Sequence, residues 1–408
     1  MRRLLYALFM ACQVLPSAMA APWSFDQAIP VTPMMSGKVF HHLDSSGRRN
    51  IATDAKGVAV AWEDDRDGTP RIYVAYKGFA DDRFADAVPV SGPGEAYEPS
   101  LIALSEGRFA IAWEEERAVW SRLIRFDDAP AQGPMRKIGQ RQGAQASLTG
   151  DGERMVVLWS ETGERYGRIR AQYLEAQGLK LHPGSECPVD AVPPVDEQLY
   201  PAATLVEDRL VVAWEDRRPK HTIIMAAVEM SPGSCRFSKP SRISEKPAGR
   251  NLPYGAGHGV SRVAIDRVAD SQAFAAWADK REFRNGYDIW GAFHHAGEAA
   301  FGSNERVQDD FGGLSKQRHA TVVGHADGML AVAWDDEREG NADLMLSWRE
   351  DDGWSDDWPV PVASGQGQQS NPSMAIDQAG NLHLVWIERD EIGGATRLHY
   401  GFGKVVEE

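Results

Sequence analysis

The stretch Val58-Ala59-Val60-Ala61-Trp62-Glu63-Asp64-Asp65-Arg66 decides the fold, because the chain repeats it. Its relatives are FAIAWEEER ending at Arg117, MVVLWSETGER at Arg165, LVVAWEDRR at Arg218, AFAAWADKR at Arg281, LAVAWDDER at Arg338 and LHLVWIER at Arg389. The tryptophans Trp62, Trp113, Trp159, Trp214, Trp277, Trp334 and Trp386 recur every 46 to 63 residues. A period of that size, carried through the chain, is the length of one four-stranded propeller blade. Within the first copy Val58, Val60 and Trp62 share one face of a strand, and Ala59 and Ala61 share the other. A sheet bulky on one face and small on the other nests against a copy of itself, so radial stacking buries both faces. The fifth copy reverses the sizes, with Ala273 and Ala275 on the tryptophan face and Phe274 opposite, which predicts different packing there.

Three further strand-like segments accompany each copy. A small or proline-bearing piece precedes it, as in Glu98-Pro99-Ser100-Leu101 and Tyr200-Pro201-Ala202-Ala203. A third strand follows, such as Arg71-Ile72-Tyr73-Val74 or Tyr287-Asp288-Ile289-Trp290. The fourth carries proline, as in Phe84 to Ser91 and Trp354 to Val362, which suits an unpaired outer edge. The seventh copy ends without a fourth strand, and residues 23–32 supply an orphan that reads like one. The expectation is an all-β, seven-bladed β-propeller with four antiparallel strands per blade, closed by the N-terminal strand, in one domain over residues 21–408.

Residues 1–20 read as a signal peptide: Arg2 and Arg3, an apolar run from Leu4 to Val14, then Ala18-Met19-Ala20. The run is about half the ~20 residues needed to span a bilayer, so a soluble, periplasmic or secreted product is expected. Cleavage removes Cys12 and leaves Cys187 and Cys235, an even pair predicted to be bonded. Among the 408 residues, 44 Lys and Arg against 59 Asp and Glu give a net charge of −15, which repels nucleic-acid phosphates and anionic membranes. No nucleic-acid partner and no membrane insertion are expected. A monomer is expected too, because closed blades leave no free sheet edge.

The proline-bearing inner piece, the VAWEDDR phrase and the following Asp-Ile-aromatic strand together resemble the repeat of sialidase-like bacterial extracytoplasmic β-propellers, over essentially the whole chain after residue 20. That resemblance implies the architecture, and it admits glycosidases, polysaccharide lyases, lectin-like binders and scaffolds. The Ser-x-Asp-x-Gly-x-x-Trp boxes and early Arg-Ile-Pro of true sialidases do not occur here.

The acid and arginine pairs after each tryptophan (Asp65/Arg66, Glu116/Arg117, Asp216/Arg218, Asp279/Arg281, Asp336/Arg338, Glu388/Arg389) repeat blade by blade. Repetition marks them as structural, since chemistry needs one asymmetric constellation. Asp335 to Asp343 offers oxygens near Gly340, yet it lacks a bidentate Glu, and Arg338 is a poor neighbour for a cation. No metal and no cofactor are expected. Function in a propeller gathers where the connections into the inner strands converge. There the sequence offers Tyr254, His258 and His319 as acid/base candidates, and Arg49, Tyr97, Glu98, Tyr200, Arg262 and Arg318 as ligand contacts. The expected function is a binding or scaffold propeller recognising a glycan or an envelope or secreted protein on its loop-rich face. The alternative is a polysaccharide-active hydrolase or lyase acting on an anionic glycan.

Overall fold

A computed structural model describes residues 21–33, 38–43, 49–127, 129–245, 259–281, 286–351 and 353–406. The predicted signal peptide lies outside the described residues. The chain folds as seven antiparallel sheets in a ring, each running from an inner strand through the tryptophan strand and a third strand to a short outer strand. Blade 2 is representative: Ala96–Leu104 pairs with Arg108–Glu115, which pairs with Ala118–Phe126, and the edge is Pro130–Gln132 with Arg136–Ile138. The inner strands are Ile51–Thr53, Ala96–Leu104, Gly143–Asp151, Gln198–Val206, Val260–Val268, Gln317–Gly324 and Gln368–Ile376, and each neighbours the next around a closed cycle. Outer strands shrink to two residues at Val88–Pro89 and Trp358–Pro359, because proline cannot donate a further ladder bond.

The apolar interior is divided into seven layers, one between each pair of adjacent blades. All seven repeat tryptophans are at most 1% exposed. Each faces the preceding blade: Trp113 packs with Ala59 and Ala61 of blade 1, and Trp214 with Val156 and Leu158 of blade 3. The reversed fifth copy is accommodated by a complementary exchange. Phe274 enters the layer toward blade 6, its ring centroid 4.7 Å from Phe293 and 5.1 Å from Trp354. Room for it comes from Gly291, where a Cβ would lie 2.1 Å from Phe274 Cζ.

Closure brings the two ends of the chain together. Trp23–Phe25 and Ile29–Pro30 both pair with the last strand, Arg397–Val405. Trp23 is buried, and its indole donates to the Gly380 carbonyl at 2.9 Å. Near this seam runs a polar chain: Tyr400 donates to His383 Nδ1 at 2.7 Å, and His383 Nε2 lies 3.3 Å from Asp377. Burial holds His383 below its usual pKa against the pull of Asp377, so the ring is neutral at pH 7. Burial pushes Asp377 up, but hydrogen bonds from His383 and from the side chain and backbone of Asn381 outweigh it and hold the carboxyl down at about 2.

The Cys187–Cys235 disulfide links the outer strand of blade 3 to blade 4, with Cα atoms 5.8 Å apart and a sequence separation of 48. A loop of that length corresponds to roughly 4 kcal/mol of lost unfolded-chain entropy in the loop-closure picture.

Two outcomes follow from this packing. Gly291→Ala is expected to cost about 1–3 kcal/mol through overpacking, and Phe274→Leu in the same chain should recover part of it in denaturant titrations. Asp377 is depressed in the folded state, so its stabilisation is present above the ordinary value of 3.8 and is lost as pH falls through about 2. Thermal unfolding between pH 4 and 2 should therefore steepen for the parent protein and flatten for Asp377→Asn.

Candidate functional site

The repeat's acidic residues do three distinct jobs near one face of the ring. The acid two residues after the tryptophan accepts its indole N–H: Trp62 to Asp64 at 2.7 Å, Trp113 to Glu115 at 2.8 Å, Trp214 to Asp216 at 3.2 Å, Trp277 to Asp279 at 3.0 Å and Trp334 to Asp336 at 3.3 Å. In blades 1, 4, 5 and 6 the same carboxylate also takes the backbone N–H and guanidinium of Arg66, Arg218, Arg281 or Arg338. The acid–arginine pairs are thus hairpin clamps. Their partners differ from the sequence pairing in blades 1, 2 and 7: Arg66 holds Asp64 rather than Asp65, Glu116 and Arg117 form no ion pair among the described residues, and Glu388 is held by Arg397 at 2.7 Å rather than by Arg389. In blade 2, Glu115 takes Trp113 and the Gly92 N–H.

The acid immediately after the tryptophan has another task. Six inner strands carry a bulge near their start, and the residue in it adopts a left-handed backbone without being glycine: Glu98 at φ 55°, Gln145 at 61°, Tyr200 at 50°, Arg262 at 54°, His319 at 54° and Asn371 at 56°. Such a conformation costs of order 1–3 kcal/mol per residue unless its surroundings hold it. For five of the six they do so from the preceding blade. Glu63 accepts the Glu98 N–H at 3.1 Å, Glu215 that of Arg262 at 2.7 Å and Asp335 that of Asn371 at 3.2 Å; Glu114 accepts from Gln145, whose own amide oxygen accepts the Tyr200 N–H at 2.9 Å. These bulges put six polar or aromatic side chains around the mouth of the ring.

Two of their contacts stand out chemically. The guanidinium of Arg262 lies over the Tyr200 ring, 3.4 Å from its centroid, and Arg262 Nη1 is buried with no hydrogen-bond partner among the described residues. His319 Nδ1 lies 2.5 Å from Asp335 Oδ2, so one ring nitrogen is fixed by a carboxylate that also holds the next blade's bulge. The mouth therefore combines a stacked cation, an oriented imidazole, a carboxylate at Glu98 and amides at Gln145 and Asn371.

Of the sequence candidates, Glu98, Tyr200, Arg262 and His319 share this ring. Arg49 instead pairs with Asp266 across the axial channel, a cavity of about 330 Å³. Tyr97 donates to Glu95 at 2.7 Å, and Arg318 lies over Tyr287 at 5.4 Å. Tyr254 and His258 lie outside the described residues. Sequence reading missed Gln145 and Asn371, although both occupy the place in the inner strand that Glu98 and Tyr200 hold. Asp335, Asp336 and Asp343, weighed as calcium ligands, are engaged by His319, by Trp334 with Arg338, and by the Gly365 N–H. On the same face, Phe311, Leu314 and Ile392 project at 82%, 73% and 86% exposure from the connecting loops and hairpins.

No family profile and no curated protein sequence matches the chain. Its likeness is to solved structures. Penicillium chrysogenum α-L-arabinanase, determined with arabinobiose, aligns at a TM-score of 0.50 and 10% identity over 92% of this chain and 98% of that one. A mutant Trypanosoma rangeli sialidase displaying trans-sialidase activity aligns at 0.48 and 8% over 78% and 56%. The Aleuria aurantia lectin, with Fucα1-6GlcNAc, aligns at 0.47 and 14% over 78% and 99%. The likeness to the arabinanase is one of fold, and the class the fold defines is a seven-bladed β-propeller.

If the acid after the tryptophan holds the strained bulge, Glu215→Ala should lower stability by about 1–3 kcal/mol. Arg262→Gly in that background should restore part of the loss in equilibrium denaturation, because glycine accepts φ 54° without a Cβ penalty.

Proposed function

We propose that this is an exported binding propeller that recognises a saccharide on its loop-rich face, with the axial mouth as the primary contact. The observation that carries this reading is Arg262 stacked on Tyr200, with a buried nitrogen lacking a partner among the described residues, and the Gln145 amide against the Tyr200 N–H. A buried, unsatisfied donor is costly, and a ligand oxygen removes that cost. An amide, a phenol and a guanidinium set close together match the mixed donors and acceptors of a sugar ring. Export rests on the Arg2 to Ala20 pattern, and the Cys187–Cys235 bond accords with an oxidising compartment.

A second reading, a polysaccharide-active enzyme, is favoured by one observation. The His319 and Asp335 pair presents an imidazole whose orientation a carboxylate fixes, which is what proton transfer requires.

The test is a thermal-shift and product-release screen of residues 21–408 against neutral and acidic oligosaccharides. The binding reading expects a ligand that raises the unfolding temperature without products, weakened at least about tenfold by Arg262→Ala and only a few-fold by His319→Ala. Turnover that falls by about 10² or more in His319→Ala would establish the enzyme reading instead. Silence across the panel, with capture of an exported protein by the immobilised propeller, would replace the saccharide with a protein partner.

A further inference from the structure

Blade 3 breaks the clamp rule, and the break opens a cleft. Where blades 1, 4, 5 and 6 place an arginine four residues after the tryptophan, blade 3 has Gly163, and Arg165 falls beyond the reach of the clamp. Glu161, the residue that the clamp would hold, is left to Arg170 of the third strand at 3.9 Å. Arg165 instead lies over Tyr166, 5.0 Å from the ring centroid. It faces a cleft of about 560 Å³ whose lining includes Arg141, Arg168, Val195 and Lys220 together with Glu161 and Glu164. Arg141 and Arg168 also line an adjoining cavity of about 500 Å³.

The cations here are unevenly satisfied. Lys220 is paired with Asp196 at 2.9 Å, and Arg170 with Glu186 at 2.5 Å. Arg141, Arg165 and Arg168 form no ion pair among the described residues. Arg168 donates to the Asp190 carbonyl at 2.5 Å, but its Nε is buried without a partner. Burial and the neighbouring Arg170 disfavour its charge and outweigh Asp190 and Glu161, which favour it. Three guanidiniums without an ion pair among the described residues line this concavity, where they outnumber the two carboxylates of its wall, Glu161 and Glu164, in a chain of net charge −15. The excess of guanidinium over carboxylate leaves fork donors available to an anion. Val195, 64% exposed, and Pro194 give the cleft an apolar wall beside the charges.

We infer that this cleft between blades 3 and 4, off the axis on the loop-rich face, is an anion site that takes the carboxylate or sulfate of an acidic saccharide. The inference rests on the saccharide-binding reading and narrows it to anionic chains, of which the mouth holds one residue and the cleft another. It assigns binding roles to Arg141, Arg165 and Arg168.

The experiment is calorimetric titration of residues 21–408 with oligogalacturonate against its neutral methyl ester, and with a sulfated oligosaccharide against its desulfated form. The acidic member of at least one pair is expected to bind at least about tenfold tighter, with the preference shrinking as salt rises. A preference only in the first pair assigns a carboxylate, and only in the second a sulfate. Arg141→Ala with Arg165→Ala, both on exposed side chains, should abolish the preference, whereas Arg262→Ala should weaken charged and neutral members alike and leave it in place. Equal binding of charged and neutral members overturns the anion site while leaving saccharide recognition standing, as does a preference that survives the double substitution. No binding by any of the four overturns both.

Discussion

Every sheet in this molecule has two apolar faces, and that constraint governs the rest. A sheet apolar on both sides cannot stand at the end of a stack, so the stack must return to its own beginning. The tryptophan makes the return possible by filling the space between blades with one large side chain against small partners. Closure then falls to the segment that begins at Trp23, which gives the last blade its outer strand and covers the layer that would otherwise face water. The interior of the protein is a set of interfaces, and none of the blades has a core of its own.

The same repeat builds the functional face. Each acid after a tryptophan reaches forward to the next blade and holds a residue in a left-handed bulge, so the side chains at the mouth sit on strands rather than on free loops. Placement by strand and bulge is what gives a site precision. The identity of the bulge residue is free to vary, because the holding contact is made to its backbone N–H. That is why Glu98, Gln145, Tyr200, Arg262, His319 and Asn371 can occupy one structural position with six different chemistries.

The fold was legible in the sequence because burial of both faces imposes a pattern on every copy, and Trp62 to Trp386 carry it in plain view. The anomaly at Phe274 was legible as well, although its relief by Gly291 was not, since the two lie on neighbouring strands and no local pattern connects them. The mouth was only half legible. Tyr200, Arg262 and His319 drew notice as isolated functional residue types, whereas Gln145 and Asn371 look like ordinary loop polar residues until the register shift beside each is seen. Arg49 lies next to the mouth in sequence, but its long side chain runs into the channel to meet Asp266, a choice of rotamer that the sequence does not encode locally. The clamp partners shifted by one residue because the carboxylate must reach the indole of its own strand, which selects Asp64 over Asp65.

The position of the disulfide has a mechanical consequence. The ring is closed without a peptide connection only inside the last blade, where Trp23–Phe25 and Ile29–Pro30 pair with Arg397–Val405, so peeling starts there and runs inward from both ends of the chain. The covalent staple at Cys187 and Cys235 sits near the far side of the ring, where the two peeling fronts would meet. A molecule opened at its clasp therefore keeps blades 3 and 4 in register as a template from which both arms can wind back, and the last part of the ring to come apart is the part that walls the arginine cleft.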